Sequence, residues 1–327
     1  VKPKQAARLG LGILLAVFFL WLIARQIDPA ALVQAFAGTR GGWVALALAM
    51  FCVGYACRIA RWRAMLARDN PALRWSNCAG PLLASFAANN VLPFRAGDVL
   101  RAFAFNARLG TSAGTVLATL FVERLLDLLM VLVMLGAALA AFGLEASRFA
   151  GLGSAALITV ALAILVLLLF PQLFAPLARL AGKLAGRVSP TLGEKLSTEI
   201  ERGLATLGHL AAGSTMARLV GWSLAAWIAE GTVFWMAALA LPELTTAAAG
   251  WLALPVGTLA TLIPSTPGYV GTFDYFTVRA MTALGNGQAA ATAYAFLVHA
   301  LLWLPPTVVG GLYFLASRTR LPREKLS

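Results

Sequence analysis

Residues 90–98 read Asn90-Val91-Leu92-Pro93-Phe94-Arg95-Ala96-Gly97-Asp98. Residues 261–268 read Thr261-Leu262-Ile263-Pro264-Ser265-Thr266-Pro267-Gly268, and that stretch runs on through Gly271 to Asp274. Both follow apolar runs, place a Pro four residues before a Gly, and carry a carboxylate beyond it. In hydrocarbon, Pro and Gly break helices and leave backbone groups unpaired, which is tolerated only where protein or a water-filled cavity covers them. Broken helices at corresponding positions in two halves of a membrane protein are a sequence pointer to a transport site.

The surrounding composition fits that setting. The chain has 327 residues, 60% of them hydrophobic and 12% charged, with a mean hydropathy of +0.82. That is far more apolar than a soluble domain. Several apolar runs approach the length needed to cross a bilayer core, so the fold class is an all-α polytopic membrane protein. No stretch is long enough for a separate soluble enzyme domain. The net charge of +13 raises a nucleic-acid reading, but the basic residues gather at the ends of apolar runs. Lys2, Lys4 and Arg8 form one group, Arg58, Arg61, Arg63, Arg68 and Arg74 a second, and Arg318, Arg320, Arg323 and Lys325 a third. That is the cytoplasmic excess of an inner-membrane protein, and it attracts anionic lipid. Cys52, Cys57 and Cys78 show neither disulfide nor zinc spacing. No metal site and no cofactor is expected.

Apolar spans fall at about 9–23, 43–59, 111–142, 151–170, 219–241 and 289–316. The first is read as a retained helix and not a signal peptide, because no small-residue cleavage pattern follows it. Placing Lys/Arg-rich ends inside puts both termini in the cytoplasm. Residues 78–110 then begin and end inside, and residues 247–284 begin and end outside. Arg95, Asp98, Arg101 and Arg108 make the second arm of the first region an unfavourable lipid-facing span. The expected fold is therefore six spanning helices plus two re-entrant hairpins, arranged as an inverted-topology repeat in a single integral membrane domain. Repeat 1 covers about 1–143 and repeat 2 about 151–327. A cytoplasmic amphipathic insert covers about 171–218, broken near Ser189-Pro190, and acts as a connector or a lipid-sensing element.

Charges at membrane depth mark the candidate site. Glu123, Arg124 and Asp127 interrupt the third span; Glu123 and Asp127 share a helical face, and Arg124 can pair with Asp127. Arg95, Asp98 and Arg101 lie on the first hairpin, Asp274 and Arg279 on the second, and Glu230 in the span 219–241. Counted this way, Arg95, Arg101, Arg124 and Arg279 face Asp98, Glu123, Asp127, Glu230 and Asp274, a nearly balanced network with arginine donors for an anionic head group. Glu230 has no partner nearby in sequence and is a candidate proton acceptor. Asn89 and Asn90 satisfy freed backbone groups or bind a head group. Pro93, Gly97, Pro264, Pro267, Gly268 and Gly271 form the hairpin breaks.

Three ordered motifs now resemble a known family. They are Asn90-x-Leu92-Pro93-x-Arg95-x-Gly97-Asp98-x-x-Arg101, then Glu123-Arg124-Leu125-Leu126-Asp127, then Pro264-x-x-Pro267-Gly268-x-x-Gly271-x-x-Asp274. The resemblance is to the flippase-like membrane domain of lysylphosphatidylglycerol synthases and their stand-alone relatives, over nearly the whole chain. Asp98 and Asp274 stand where the family commonly has Glu, and Tyr269 where it often has Gly. The resemblance implies a stand-alone translocator of lipids or lipid-linked head groups in a bacterial inner membrane; hopanoids, aminoacyl phospholipids and polyprenyl-linked sugars are open as cargo. The expected partners are that lipid and anionic head groups, with no nucleic acid. A second copy of the chain or a separate lipid-synthesising enzyme stays open. An intramembrane lipid-modifying enzyme and a small-solute secondary transporter are the alternatives. No HExxH, nucleophile–His or P-loop sequence supports catalysis or direct ATP hydrolysis.

Overall fold

The computed structural model describes Trp21 and residues 29–92, 95–143, 154–263 and 266–318. The expected span 9–23, the basic tails and the break residues Pro93 and Pro264 lie outside the described residues. Among the described residues the chain is all helical. In chain order the helices are α1 Pro29–Ala37, α2 Gly41–Leu66, α3 Trp75–Val91, α4 Ala96–Phe103, α5 Asn106–Leu109, α6 Ala113–Ala141 and α7 Ser154–Leu169. They continue with α8 Ala175–Val188, α9 Pro190–Leu210, α10 Gly213–Leu239, α11 Gly250–Ala260, α12 Thr272–Ala283 and α13 Gln288–Arg318. Three of them, α2, α10 and the stretch Gln288–Ala316 of α13, are long and apolar enough to cross a membrane. Their outer faces carry exposed Leu46, Val53, Leu224, Ile228, Val308 and Leu312. Such a surface suits lipid and not water.

Helix α6 has 29 residues, about 43 Å at 1.5 Å per residue, and carries Glu123, Arg124 and Asp127 in its first half. Ser112 caps its start, accepting from the Thr115 amide at 3.0 Å, and Glu199 on α9 accepts from the Gly114 amide at 2.5 Å. The insert is therefore fastened to a core helix. It comprises α8 and α9, separated at Ser189 as its sequence implies. The chain bends by 91° between Ala156–Leu169 and Pro171–Leu184, at the residue where a proline can start a new helix but not continue the old one.

The two expected hairpin regions are each a pair of short arms. In the first, α3 has 17 residues and α4 has 8; in the second, α11 has 11 and α12 has 12. At 1.5 Å per residue these are roughly 25, 12, 17 and 18 Å, each short of a hydrocarbon core of about 30 Å. α3 packs along α13, α11 lies against α6, and α2 runs against α10.

Apolar packing forms two clusters. One gathers Ile59, Trp62, Leu66, Leu126 and Leu219; the other gathers Phe51, Trp227, Phe234, Phe273 and Tyr294. Along α2 the change from one cluster to the other falls at Arg58, and along α10 at Ser223. The polar layer described next lies at that seam.

Candidate functional site

The site begins at the first break. Arg95, the residue before α4, has φ 52°, a left-handed conformation that a non-glycine residue keeps only where its surroundings hold it. Helix α4 then starts so close to α3 that a Cβ on Gly97 would lie 1.8 Å from the Ser85 carbonyl oxygen. Glycine is required there by contact alone. The Asn89 side chain closes the turn: its Oδ1 accepts from the Gly97 amide at 2.8 Å and its Nδ2 donates to Asp98 Oδ1 at 3.0 Å. Asp98, in the first turn of α4, also accepts from Arg95 Nε at 3.2 Å and from Arg124 at 3.2 Å.

From Asp98 the charges form a continuous chain. Arg124 lies 3.6 Å from Glu123 and reaches Asp127 only at 4.0 Å, so the pairing expected along α6 is its longest contact. Glu123 is gripped from both sides by Arg101, at 3.0 and 3.2 Å, and the Arg101 guanidinium lies over the Trp62 ring at 4.9 Å. Asp127 accepts from Arg61 at 2.8 Å and from the Trp227 indole at 3.1 Å, and lies 3.6 Å from Arg58. Arg58 donates to Glu230 and lies over the Trp227 ring. Arg61 also donates to Ser223 at 2.8 Å.

A cavity of about 270 Å³ opens beside this chain. Of the residues singled out from the sequence, Asn89, Asn90, Arg95, Arg124, Asp127, Glu230 and Gly268 line it. Arg101 and Glu123 do not; both are buried and committed to each other. Asp98 stands behind the wall, orienting Arg95 and Arg124. Asp274 is elsewhere: on α12, 1% exposed, it accepts from the Gly271 amide at 2.8 Å and contacts His299 at 2.8 Å. Arg279 is exposed and does not join the cluster. Asn90 turns to α13, donating to Thr307 at 2.8 Å.

Three participants escaped the sequence reading. Arg58 and Arg61 belong to a group read as cytoplasmic anchors, yet they are 9% and 1% exposed and hold Glu230 and Asp127. Glu230 therefore has its partner 172 residues away, supplied by the pairing of α2 with α10. His299 lines the cavity from α13. A lone imidazole deep in an apolar run of span length was its available signal. Recounted on the structure, Arg58, Arg61, Arg95, Arg101 and Arg124 meet Asp98, Glu123, Asp127 and Glu230. Among the described residues the cluster has one more positive charge than negative. Its most accessible members are arginines, Arg95 at 43% and Arg124 at 33% side-chain exposure; the Arg124 Nε is buried and has no hydrogen-bond partner among the described residues. The arrangement can grip an anion with planar oxygen geometry.

A second, apolar trough of about 700 Å³ runs beside the same break. Its walls are Ala87, Val91, Leu92, Val99 and Phe103 from α3 to α4, closed by Phe314 of α13.

A family model described as lysylphosphatidylglycerol synthase TM region matches residues 9–310. A curated relative named glycosyltransferase AglD, from Haloferax volcanii, is 28% identical over 346 aligned positions, covering 95% of this chain. The chain spans 55% of that relative's length.

Proposed function

The chain belongs to the family of lysylphosphatidylglycerol synthase TM regions, and from that premise we propose that it moves lipids or lipid-linked head groups between the leaflets of a bacterial inner membrane. The observation that carries the proposal is the charge excess at the cavity. Among the described residues five arginines meet four carboxylates, and the two most exposed of them, Arg95 and Arg124, would offer guanidinium N–H groups to a phosphate-bearing head group. The apolar trough begins at Val91, Leu92 and Ala96, on either side of Arg95. A lipid held at Arg95 keeps its chains in that trough while its head group occupies the polar cavity. In this reading the chain is N-in and C-in, with six spans and two re-entrant hairpins forming an inverted repeat. The shortness of the hairpin arms supports this, and so does the packing of both hairpins on the same two helices, α6 and α13.

The name of the Haloferax relative favours one competing reading, an enzyme acting on membrane lipid. Against it, every carboxylate of the cluster accepts from arginine. A carboxylate held that way is a weak nucleophile and a weak proton donor.

The test is reconstitution into phosphatidylcholine vesicles with fluorescent phosphatidylglycerol or phosphatidylcholine bearing the same chains, read by access of a membrane-impermeant quencher. Phosphatidylglycerol should cross faster, and Arg95→Lys with Arg124→Lys should reduce that preference by roughly tenfold, the equivalent of about 1.4 kcal/mol for one lost bidentate grip. Crossing no faster than in protein-free vesicles overturns the proposal. Recovery of a chemically altered probe selects the enzyme reading instead.

A further inference from the structure

His299 presents both ring nitrogens to acceptors. Nδ1 lies 2.8 Å from Asp274 Oδ1, and Nε2 lies 2.8 Å from the carbonyl oxygen of Gly268. A carbonyl oxygen has no proton to give. A neutral imidazole carries one N–H and one lone pair, so it satisfies only one of two acceptors. The geometry is satisfied when the pair holds one proton beyond neutral His and ionised Asp, as imidazolium facing carboxylate. We infer that His299 and Asp274 form a proton-binding site whose occupancy fastens the turn 266–271 to α13.

The turn has the properties of a latch. Gly268 has φ 75°, Tyr269 φ 60° and Gly271 φ 84°, three left-handed residues within four positions. Tyr269 is a non-glycine residue in that region, which requires holding from outside. Among the described residues the turn packs on α3 and is tied within itself by the Tyr269 amide donating to the Thr266 carbonyl at 3.0 Å. Its ties to the second half are His299 on the Gly268 carbonyl, the Trp303 ring beside Gly268, and Asp274 on the Gly271 amide. Of these, the His299 bond is the one a proton controls. When the proton leaves, the stronger bond from Nδ1–H to the Asp274 carboxylate persists, and the Nε2 lone pair faces the Gly268 oxygen. That contact turns repulsive and the turn loses its hydrogen bond to α13. No other bond forms or breaks, so the step balances with a single proton.

The surroundings isolate this pair while leaving it reachable. Asp274 is 1% exposed, His299 is 16% exposed at its side chain, and the Phe273 ring packs edge-on to the imidazole at 5.2 Å. Charged groups on the other walls of the same cavity are Arg58 on α2, Arg95 before α4, Arg124 and Asp127 on α6, and Glu230 on α10. Among the described residues these bond one another or Arg61, Asp98 and Glu123, and Asp274 is the charged group that bonds the imidazole. His299, Gly268 and Tyr269 all line the head-group cavity, so a proton entering through it reaches the ring. A proton gradient is then a source of work for a chain with no nucleotide-binding motif. That last step, and it alone, rests on the transport reading.

The chain has two histidines, which makes nitrogen-15 labelling decisive. In lipid nanodiscs, His299 should show two N–H signals at low pH and lose one as pH rises. In a variant lacking Cys52, Cys57 and Cys78, Thr266→Cys should be labelled faster over the same pH interval after division by the rate of a free thiol at each pH, which removes the thiol's own ionisation. The corrected rate should rise by up to about tenfold per pH unit for one proton. His299→Gln and Asp274→Asn should both remove the labelling step. A His299 spectrum with one N–H at every pH overturns the inference, as does a labelling step that survives in both variants. If the step follows His299 while fluorescent phosphatidylglycerol never crosses, the proton site stands and the transport reading falls.

Discussion

The two hairpins solve one problem with different chemistry. Each second arm starts after a left-handed residue, Arg95 before α4 and Gly271 before α12. Each then places an aspartate in its first turn, Asp98 and Asp274. Asp98 faces permanent charges, Arg95 and Arg124, beside open space. Asp274 is buried and faces a histidine, a side chain that can gain or lose a proton. The first hairpin is therefore pinned wherever Asp98 is ionised and is suited to holding an anion. The second is pinned conditionally and suited to moving.

The strongest challenge to this contrast is to unpin each hairpin in turn. Arg101→Met strands Glu123 in the interior and should cost about 3–5 kcal/mol, read as loss of monodisperse protein. Adding Glu123→Leu should restore yield, because the pair is then replaced by apolar groups. His299→Gln removes one hydrogen bond to a charged group, about 1.5–3 kcal/mol, and should leave a folded protein. Equal losses of yield in the two single variants break the comparison.

The glycines give the next largest effect. Gly97→Ala puts a methyl within 1.8 Å of the Ser85 carbonyl, and should cost about 1–3 kcal/mol as α4 shifts off α3. Gly268→Ala adds a left-handed strain of about 1 kcal/mol and a contact with the Trp303 ring at 2.7 Å. Its effect should appear in labelling of the turn and less in the melting temperature.

Carboxylate substitutions sharpen the functional side. Asp98→Asn should slow phosphatidylglycerol movement by roughly tenfold at all pH values, as expected for losing about 1.5 kcal/mol of a hydrogen bond to a charged group. Asp274→Asn should instead flatten the pH profile. The smallest effect belongs to Arg95→Lys alone. Arg124 still grips the head group, so the rate should drop only a few-fold, about 0.5–1 kcal/mol. A Lys variant as slow as Asp98→Asn would mean that Arg95 acts alone.

How much of this was readable from sequence follows the distance between partners. Asp98, Asn89 and Arg95 lie within one turn of the break, so the break and its charges announce each other. Glu123, Arg124 and Asp127 were conspicuous because charge within an apolar helix is costly. Their true partners were not legible: Arg61 reaches Asp127 only because α2 packs beside α6 and α10. A rule that assigns arginines near span ends to the cytoplasm cannot separate surface Arg from core Arg. The burial of Arg58 and Arg61 is a tertiary fact. Arg279 went the opposite way: it lies on an exposed face of α12, and no ion pair among the described residues joins it to the cluster. The broken, two-armed form of residues 78–110 and 247–284 was legible because Pro and Gly act locally.

The unmatched charge also bears on handling the protein outside its membrane. Five arginines around four carboxylates leave the core with a standing demand for a counter-ion. A ligand that binds only the folded state stabilises it in proportion to its occupancy, about 2.7 kcal/mol at a hundredfold excess over its dissociation constant. If the proposed anionic lipid fills that role, extraction into an uncharged detergent should strip it, and the purified chain should then melt early and aggregate. Anionic phospholipid added back during solubilisation should raise the melting temperature, and tightly retained lipid should be recoverable by organic extraction of the purified protein.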